Sequence, residues 1–203
     1  MGAKIIRVSM RIKEEMRILG IDDCPFDKKR EKFVKVIGIV FRGSKFIDGV
    51  LSTKVRIDGL DATQKLVKMI NKSSHKPQLK VIMLDGITVG GFNLIDIKEL
   101  NKKTGLAVIV INRKMTNLKK VKKALLNFPD FDERWKIVKS AGRIKKFLTK
   151  RGKFIYYQNV GVDDEDAEKI INLSISRSDI PEPLRVAHLI ATGIKLGESR
   201  GHA

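Results

Sequence analysis

The first third of the chain alternates between apolar runs and short polar turns, which is the pattern of β-strands. Residues 17–23, 33–42 and 45–57 are rich in Ile, Val and Phe, and polar or glycine-containing segments separate them. Turns of this length join strands that run in opposite directions. The pattern therefore predicts three strands that form an antiparallel meander.

The middle of the chain changes from a strand period to a helix period. Leu66, Val67 and Ile70 lie at helical spacing, and Asp61 stands where a helix N-cap is expected. After this helix, two wholly apolar stretches, 79–84 and 106–111, enclose a second amphipathic segment at 92–103. Short runs without polar positions are typical of parallel strands that are buried on both faces.

The last third predicts mainly helices. Residues 117–141 have helical character with a break near Pro129, and 142–149 and 153–160 predict a pair of short strands. Two helices follow. The first opens with four acids, which favour the positive end of a helix, and the second has Pro in its first turn. The order of elements predicts an α/β fold in which an antiparallel meander and parallel strands share one mixed sheet flanked by helices.

The charge composition indicates what kind of partner the protein binds. The 203 residues contain 42 Lys and Arg against 23 Asp and Glu, a net charge of +19. An excess of this size favours a polyanionic partner such as nucleic acid, and the alternatives are a ribosome-associated protein or a solvated lysine-rich surface. Residues 112–153 hold 15 of the basic residues and three acids. This segment is therefore predicted to bind backbone phosphates, with salt-dependent affinity.

Two classes of protein are disfavoured by composition. Cys24 is the single cysteine, so a disulfide within the chain and a cysteine-rich zinc site are excluded. The apolar runs are shorter than the roughly 20 residues that cross a bilayer, and the charged N-terminal segment does not resemble a signal peptide. We therefore expect a cytoplasmic protein with no membrane contact, and its oligomeric state is left open.

Three acids stand at the ends of predicted strands. Asp22 ends the first strand, Asp85 follows the apolar stretch 79–84, and Asp58 follows the third meander strand. Ligands of open α/β sheets bind beyond the carboxyl ends of parallel strands, so these carboxylates are expected to converge. Carboxylates at one position repel each other unless a cation lies between them, and oxygen ligands favour Mg²⁺ or Mn²⁺. Two such cations can activate water and stabilise the leaving oxygen of a phosphodiester.

Each of these positions also has a plainer interpretation. The Asp-Gly pairs at Asp58 and Asp85 are typical of ordinary turns. The plainer interpretation of Asp23 is a hydrogen bond within its own loop, which would leave it outside the metal site. His188 lies on the last predicted helix, where a place at the edge of the core is the simpler expectation than a ligand.

Four segments in order resemble the endonuclease V superfamily, and more closely its archaeal branch described as endonuclease dU. They are ILGIDDCPF, VRIDGLDA, VIMLDGITVGGFNLIDIKELNKKTGLAVIVI and IPEPLRVAHLI. The resemblance itself extends over nearly the whole chain. The resemblance implies one RNase H-like domain over residues 1–203. It also implies that Asp22, Asp58 and Asp85 are catalytic residues that hold Mg²⁺ or Mn²⁺.

The resemblance further implies a role for Lys114, which would bind phosphate or orient the attacking water. The plainer alternative is that Lys114 is one more member of the basic segment. Gly90 and Gly91 are expected to border a pocket for an extruded base, and three further basic residues to contact nucleic acid, namely Arg113, Lys119 and Lys120. The histidine that endonuclease V places after its Asp-Gly is absent, and Val162 replaces another, so lesion recognition is expected to differ.

The function implied by the resemblance is cleavage of DNA near a deaminated base, deoxyuridine in the closer branch, as part of DNA repair. The wider superfamily implies hypoxanthine in DNA or RNA instead. A nucleic-acid-binding protein without catalysis on the same scaffold, or a nucleotide- or RNA-processing enzyme with the same metal site, are the remaining alternatives.

Overall fold

The three predicted N-terminal strands form the expected meander. In the computed structural model, which describes residues 5–8 and 10–199, β1 is Arg17–Asp23, β2 is Phe33–Arg42 and β3 is Phe46–Arg56. Each pairs antiparallel with the next along the chain. The remaining residues of the predicted domain 1–203 lie outside this description.

The central part of the chain builds the parallel strands and the helices between them. In order these are α1 (Ala62–Asn71), a 3₁₀ turn, β4 (Leu79–Asp85), the short strands β5 (Thr88–Val89) and β6 (Asn93–Leu94), α2 (Ile97–Thr104) and β7 (Ala107–Asn112). The predicted helix 92–103 begins later, at Ile97, because β5 and β6 form a small hairpin. Asp96 then caps α2 by accepting the N–H groups of Lys98 and Glu99.

The C-terminal part agrees closely with the pattern of the sequence. It comprises α3 (Leu118–Leu125), α4 (Phe131–Ser140), β8 (Lys145–Leu148), β9 (Phe154–Val160), α5 (Asp164–Ser174) and α6 (Glu182–Leu196). The break between α3 and α4 falls at Pro129, as predicted, because proline lacks the N–H that a helix interior needs. Strands β8 and β9 pair antiparallel.

Seven strands form one mixed sheet in the order β3-β2-β1-β4-β7-β9-β8. Strand β1 pairs parallel with β4, and β4 pairs parallel with β7. Alternate residues of these strands enter two separate hydrophobic clusters, one shared with α1 and α2 and one shared with α5. Since successive side chains of a strand point to opposite faces, helices cover both faces of the sheet. The predicted α/β class and mixed sheet are confirmed.

The expected N-cap of α1 is wrong. Asp61 stands at the N-cap position of α1, but its carboxylate accepts from the backbone N–H of Arg56 and from the side chain of Asn93. Asn93 instead takes the capping role, since its Oδ1 accepts the N–H of Ala62 at 2.9 Å. Within residues 5–8 and 10–199, no helix is long and apolar enough to cross a membrane.

Candidate metal and nucleic-acid site

Asp22 and Asp85 lie together at the carboxyl ends of two neighbouring parallel strands. Ile21 of β1 pairs with Leu84 of β4, and each aspartate is the next residue. The side chain of Asp22 is only 13% exposed, and the charge of Asp85 acts on its titration. The parallel pairing therefore brings these two carboxylates to one edge of the sheet.

Burial raises the pKa of three carboxyl groups at this edge. The pKa of Asp22 rises to about 6, first because of burial and then because of the charges of Asp85 and Asp23. Burial also raises the pKa of Asp23 and of Asp85, against the opposing charge of Arg113 on Asp85. Shifts of this kind mark a negative cluster that the protein itself neutralises only in part, and they are frequent at functional sites.

His188, whose half-buried side chain was expected at the edge of the core, also contacts this cluster. Its Nδ1 lies 2.9 Å from Oδ2 of Asp22, and its charge also acts on Asp85. The sequence held one usable signal, because His188 follows the buried Leu184 by four residues and therefore shares its face of α6. What the sequence did not show is that this face of α6 packs against β1.

Asp58 is close to the cluster but is held by other partners. It follows β3 with a φ of +54°, and its carboxylate accepts the N–H of Phe92 at 2.7 Å and pairs with Lys28 at 3.1 Å. Its own N–H donates to the carbonyl of Gly90, whose N–H donates to Asp23. Asp58 is thus linked to Asp23 through one residue.

The carboxylate oxygens of this site are suitable ligands for a hard divalent cation. The structure brings together two of the three predicted ligands. Asp22 and Asp85 are buried carboxylates whose mutual repulsion a cation would relieve, and oxygen is the donor that Mg²⁺ and Mn²⁺ prefer. In the part of the chain that the structure describes, no three His, Cys, Asp or Glu side chains are grouped closely enough to hold a metal ion. The three predicted ligands are therefore present as a pair and a separate third acid, Asp58.

Gly90 and Gly91, expected to border a base pocket, are packed between the loops that carry the acids. Both have a positive φ, and a Cβ at Gly91 would lie 2.3 Å from Oδ1 of Asp58. Gly90 bonds to Asp23 and Asp58 through its backbone, as described above. These glycines let the backbone pass close to the carboxylates. A cavity next to the end of β4 is lined by Gly86 and by neither of these glycines.

Arg134 of α4 holds the loop of Asp58 in place. Its side chain is 3% exposed and donates to the backbone carbonyls of Asp58, Gly59 and Phe92, at 2.7, 3.2 and 2.6 Å. The same guanidinium makes a two-pronged pair with Asp130. Arg134 had been counted with the basic segment 112–153, but its charge is used inside the protein.

We expect Arg134→Lys to destabilise the protein by about 2 kcal/mol, because an ammonium cannot make the forked contacts of a guanidinium and leaves buried carbonyls unpaired. Chemical unfolding measures this change. Arg30→Lys is the matched control, since the pair that Arg30 forms with Asp27 is exposed to solvent. Equal stability of the two variants would contradict the assigned role.

Part of the predicted basic segment 112–153 lies on α3 and on the loop before it. The charge of Arg113, directly after β7, opposes the rise that burial causes in the pKa of Asp85, which places a cation beside the acid pair. Lys114 follows in the exposed part of the same loop. Of α3 only Leu125 is buried, and its exposed face carries Lys119, Lys120, Lys122 and Lys123.

The sequence has clear relatives among known proteins. The family model described as endonuclease dU matches residues 14–195. A UPF0215 protein of Methanosarcina mazei is 56% identical over 95% of this chain and 97% of its own length. Another, from Methanothermobacter thermautotrophicus, is 50% identical over 95% of this chain and 94% of its own length. Both relatives are archaeal.

Solved structures of the same shape include a protein of unknown function from Archaeoglobus fulgidus, with a TM-score of 0.80 and 39% identity, covering 89% of this chain and 98% of that one. Endonuclease V of Bacillus subtilis has a TM-score of 0.62 at 14% identity, covering 94% of this chain and 86% of that one. Endonuclease V of Ciona intestinalis, in complex with DNA containing an inosine, has a TM-score of 0.60 at 15% identity. The match covers 90% of this chain and 87% of that one.

These likenesses confirm the RNase H-like fold, and family and fold together support a nuclease that acts on nucleic acid. The match over residues 14–195 includes both strand-end aspartates and His188. This chain belongs to the endonuclease dU family.

Proposed function

We propose that this protein is a divalent-metal-dependent endonuclease that cuts DNA near deoxyuridine, as a step of DNA repair, within one domain. The observation that carries the proposal is the buried pair Asp22 and Asp85 at adjacent parallel strand ends. A protein keeps such an unfavourable pair of charges where it serves binding or catalysis. The net charge of +19 supports a polyanionic substrate.

Asp22 and Asp85 would hold Mg²⁺ or Mn²⁺, and Asp58 would complete the site. When bound, such an ion lowers the pKa of a water and offsets charge on a phosphate. For Asp58 to take part, its pair with the half-exposed Lys28 would have to open. An exposed ion pair contributes at most about 1 kcal/mol, so exchange of Lys28 for a metal is energetically accessible.

Other side chains would bind and orient the substrate. His188 would donate the N–H of its Nδ1 to the ionised Asp22 and so fix the direction of that carboxylate. Arg113 stands beside Asp85, where it would contact the phosphate to be cut, and Lys114 next to it would bind a neighbouring phosphate or orient the attacking water. These contacts are made to phosphates through charge and hydrogen bonding, and so they do not depend on the base sequence of the nucleic acid.

The exposed lysines of α3 would extend this phosphate contact. We expect the double variant Lys119→Ala, Lys120→Ala to bind DNA more weakly and to lower the slope of log K against log salt by up to about 2, because each lysine that contacts a phosphate contributes roughly one unit. Titrations at several salt concentrations measure the slope.

The matched control for this double variant is Lys102→Ala, Lys103→Ala. These two lysines are also adjacent and exposed, but they lie at the end of α2. An equal loss of affinity in both double variants would mean that the contact is not localised to α3.

The proposed activity is tested with labelled single- and double-stranded oligonucleotides. Each set carries one uracil, one hypoxanthine or no lesion, in DNA and in RNA, and is incubated with Mg²⁺, Mn²⁺ or a chelator. We expect metal-dependent cutting beside uracil in DNA. Tight binding without cutting under every condition would leave a non-catalytic nucleic-acid-binding protein.

Hypoxanthine is the second candidate lesion. Endonuclease V of Ciona intestinalis, which shares this fold, has been solved with DNA containing an inosine. Cutting beside hypoxanthine and not beside uracil in the same panel would assign the activity to this base.

A further inference from the structure

The hairpin of β8 and β9 turns at the same edge of the sheet at which the acid pair lies. Asp85 pairs with Ile111 of β7, and Ile111 pairs with Tyr157 of β9. Because β9 runs antiparallel to β7, its first residue, Phe154, lies three residues beyond Tyr157 in the direction in which β4 and β7 end. With a rise of about 3.3 Å per residue and a spacing of about 4.8 Å between strands, Phe154 is roughly 14 Å from Asp85.

Hydrogen bonds hold the turn between β8 and β9 in one shape. The N–H of Thr149 donates to the carbonyl of Lys153, and the N–H of Gly152 donates to the carbonyl of Thr149, both at 2.9 Å. Gly152 has a φ of +78°, the left-handed conformation that closes such hairpin turns. The side-chain oxygen of Asn172 on α5 accepts the N–H of Lys150 at 2.9 Å. The backbone that carries the side chains of the turn is therefore fixed to the body of the protein.

The basic residues of this hairpin divide into two groups. Lys145 forms an ion pair with Asp164, and Arg151 forms one with Asp179, so these two charges are used within the protein. The other lysines of the hairpin are exposed to solvent, namely Lys146, Lys150 and Lys153. Residues 142–154 contain no acid. Three exposed cations at one turn attract a polyanion such as a nucleic-acid backbone.

An exposed apolar pair lies among these lysines. Phe154 and Leu148 are opposite each other in the hairpin and are 52% and 51% exposed. The ammonium of Lys146 lies 3.8 Å from the centroid of the Phe154 ring, which is a cation–π contact. The next residues along the two strands, Phe147 and Ile155, instead pack in the hydrophobic cluster under α5. Phe154 thus presents an aromatic ring to solvent, beside cations and at the edge of the candidate site.

We propose that this hairpin binds an unpaired stretch of the DNA strand that is cut, with its exposed lysines on the phosphates and the ring of Phe154 stacked on a base. A cationic surface that carries an aromatic ring is the arrangement by which proteins hold single strands without regard to sequence. In a duplex the faces of each base are already stacked on its neighbours, so a paired strand reaches the lysines but not the ring. The inference rests on the proposed nuclease function and specifies a single-stranded substrate.

The position of the hairpin determines which part of the strand it contacts. Its distance of roughly 14 Å from Asp85 corresponds to about four nucleotides at the 3.4 Å spacing of a stacked strand, and to fewer in an extended one. Strand β7 lies between β4 and β9, and Arg113 directly follows it. The strand would therefore pass Arg113 on its way from the acid pair to the hairpin.

Binding of labelled oligonucleotides in the presence of a chelator tests the hairpin without any cutting. The probes are an oligothymidylate, the same strand paired with its complement, and a strand of tetrahydrofuran abasic units, which keeps the phosphates but has no bases. Phe154→Ala is expected to bind the oligothymidylate roughly tenfold more weakly, because the stacking of one base is lost. Its affinity for the duplex and for the abasic strand should stay that of the unmodified protein.

Two further variants control this measurement. Phe46→Ala removes an equally exposed phenylalanine from the first position of β3, at the other side of the sheet, and should bind all three probes normally. Phe154→Trp keeps an aromatic ring and should keep the affinity for the oligothymidylate. Unchanged binding of the oligothymidylate by Phe154→Ala, or an equal loss for all three probes, would overturn the stacking role.

The lysines are tested with the double variant Lys150→Ala, Lys153→Ala. It should bind all three probes more weakly, and on the oligothymidylate the slope of log K against log salt should fall by up to about 1.4, because each phosphate contact on a single strand contributes roughly 0.7. An unchanged slope would overturn the phosphate contact of the hairpin.

Failure of this proposal and failure of the nuclease are distinguishable. Metal-dependent cutting beside uracil, in a protein whose Phe154→Ala variant binds and cuts single strands normally, would overturn the hairpin assignment and leave the nuclease intact. A selective loss of oligothymidylate binding in Phe154→Ala, in a protein that cuts nothing, would support the hairpin and refute the nuclease.

Discussion

The Asp85→Asn variant is expected to lose strand cleavage by about a thousandfold or more while it still binds DNA. Asparagine keeps the size of the side chain but removes the charge that would hold a cation at the end of β4. A bound cation is worth several kcal/mol of transition-state stabilisation in phosphodiester hydrolysis, which corresponds to this loss of rate. Single-turnover cutting of a uracil-containing strand in Mg²⁺ measures it.

A matched control is Asp132→Asn, which makes the same chemical change at an exposed position on α4. We expect it to cut at the rate of the unmodified protein. Cleavage by Asp85→Asn within a few fold of that rate would refute the assignment of the acid pair, since the pair would then be dispensable for chemistry.

The Asp22→Asn variant is expected to be more stable than the unmodified protein at neutral pH without metal, by about 3 kcal/mol. The pKa of Asp22 is about 6 in the folded protein, against about 3.9 in an unfolded chain. The folded state therefore holds this proton more tightly than the unfolded state does. Its contribution to stability is complete below pH 4 and is lost as the pH rises through 6.

Urea unfolding at pH 4 and pH 7.5, in chelator, measures this difference. The stability of the unmodified protein should fall between these values by up to about 3 kcal/mol more than that of Asp22→Asn. Asp132→Asn should follow the unmodified protein, because its side chain is exposed. A parallel pH dependence in all three proteins would mean that burial and the neighbouring charges do not raise the pKa of Asp22.

Metal binding provides a second test of the unfavourable charge on Asp22. Mg²⁺ that binds only the folded state should stabilise the unmodified protein at pH 7.5 and should have little effect on Asp22→Asn. The charge that destabilises the empty site would then be the charge that holds the ion. Equal stabilisation of both proteins would place the ion elsewhere.

The spacing of hydrophobic residues and the positions of turn-forming residues were sufficient to predict most of the secondary structure. The strand Arg17–Asp23 and the helix break at Pro129 follow from rules that involve only neighbouring residues. The helix start at Ile97 was missed because the hairpin of β5 and β6 depends on pairing between residues that are not adjacent. Asp61 was misassigned for a similar reason, since Asn93, distant in sequence, takes its capping role.

Some residues of the candidate site could be predicted from the sequence, and others could not. Asp22 and Asp85 could be found from the sequence, because each directly follows an apolar run of strand length. His188, Arg134 and the cavity beside Gly86 could not, because each depends on which helix packs against which strand end.

By itself the sequence determined the order of elements, the mixed sheet, the excess of basic charge and the two strand-end carboxylates. These follow from local periodicity and composition, which contain no long-range information. Only the tertiary structure decided that α6 brings His188 to Asp22, that Lys28 pairs with Asp58, and that Arg134 is buried instead of facing a phosphate. Contacts over such separations depend on how helices pack on the sheet, and side-chain type alone does not encode that arrangement.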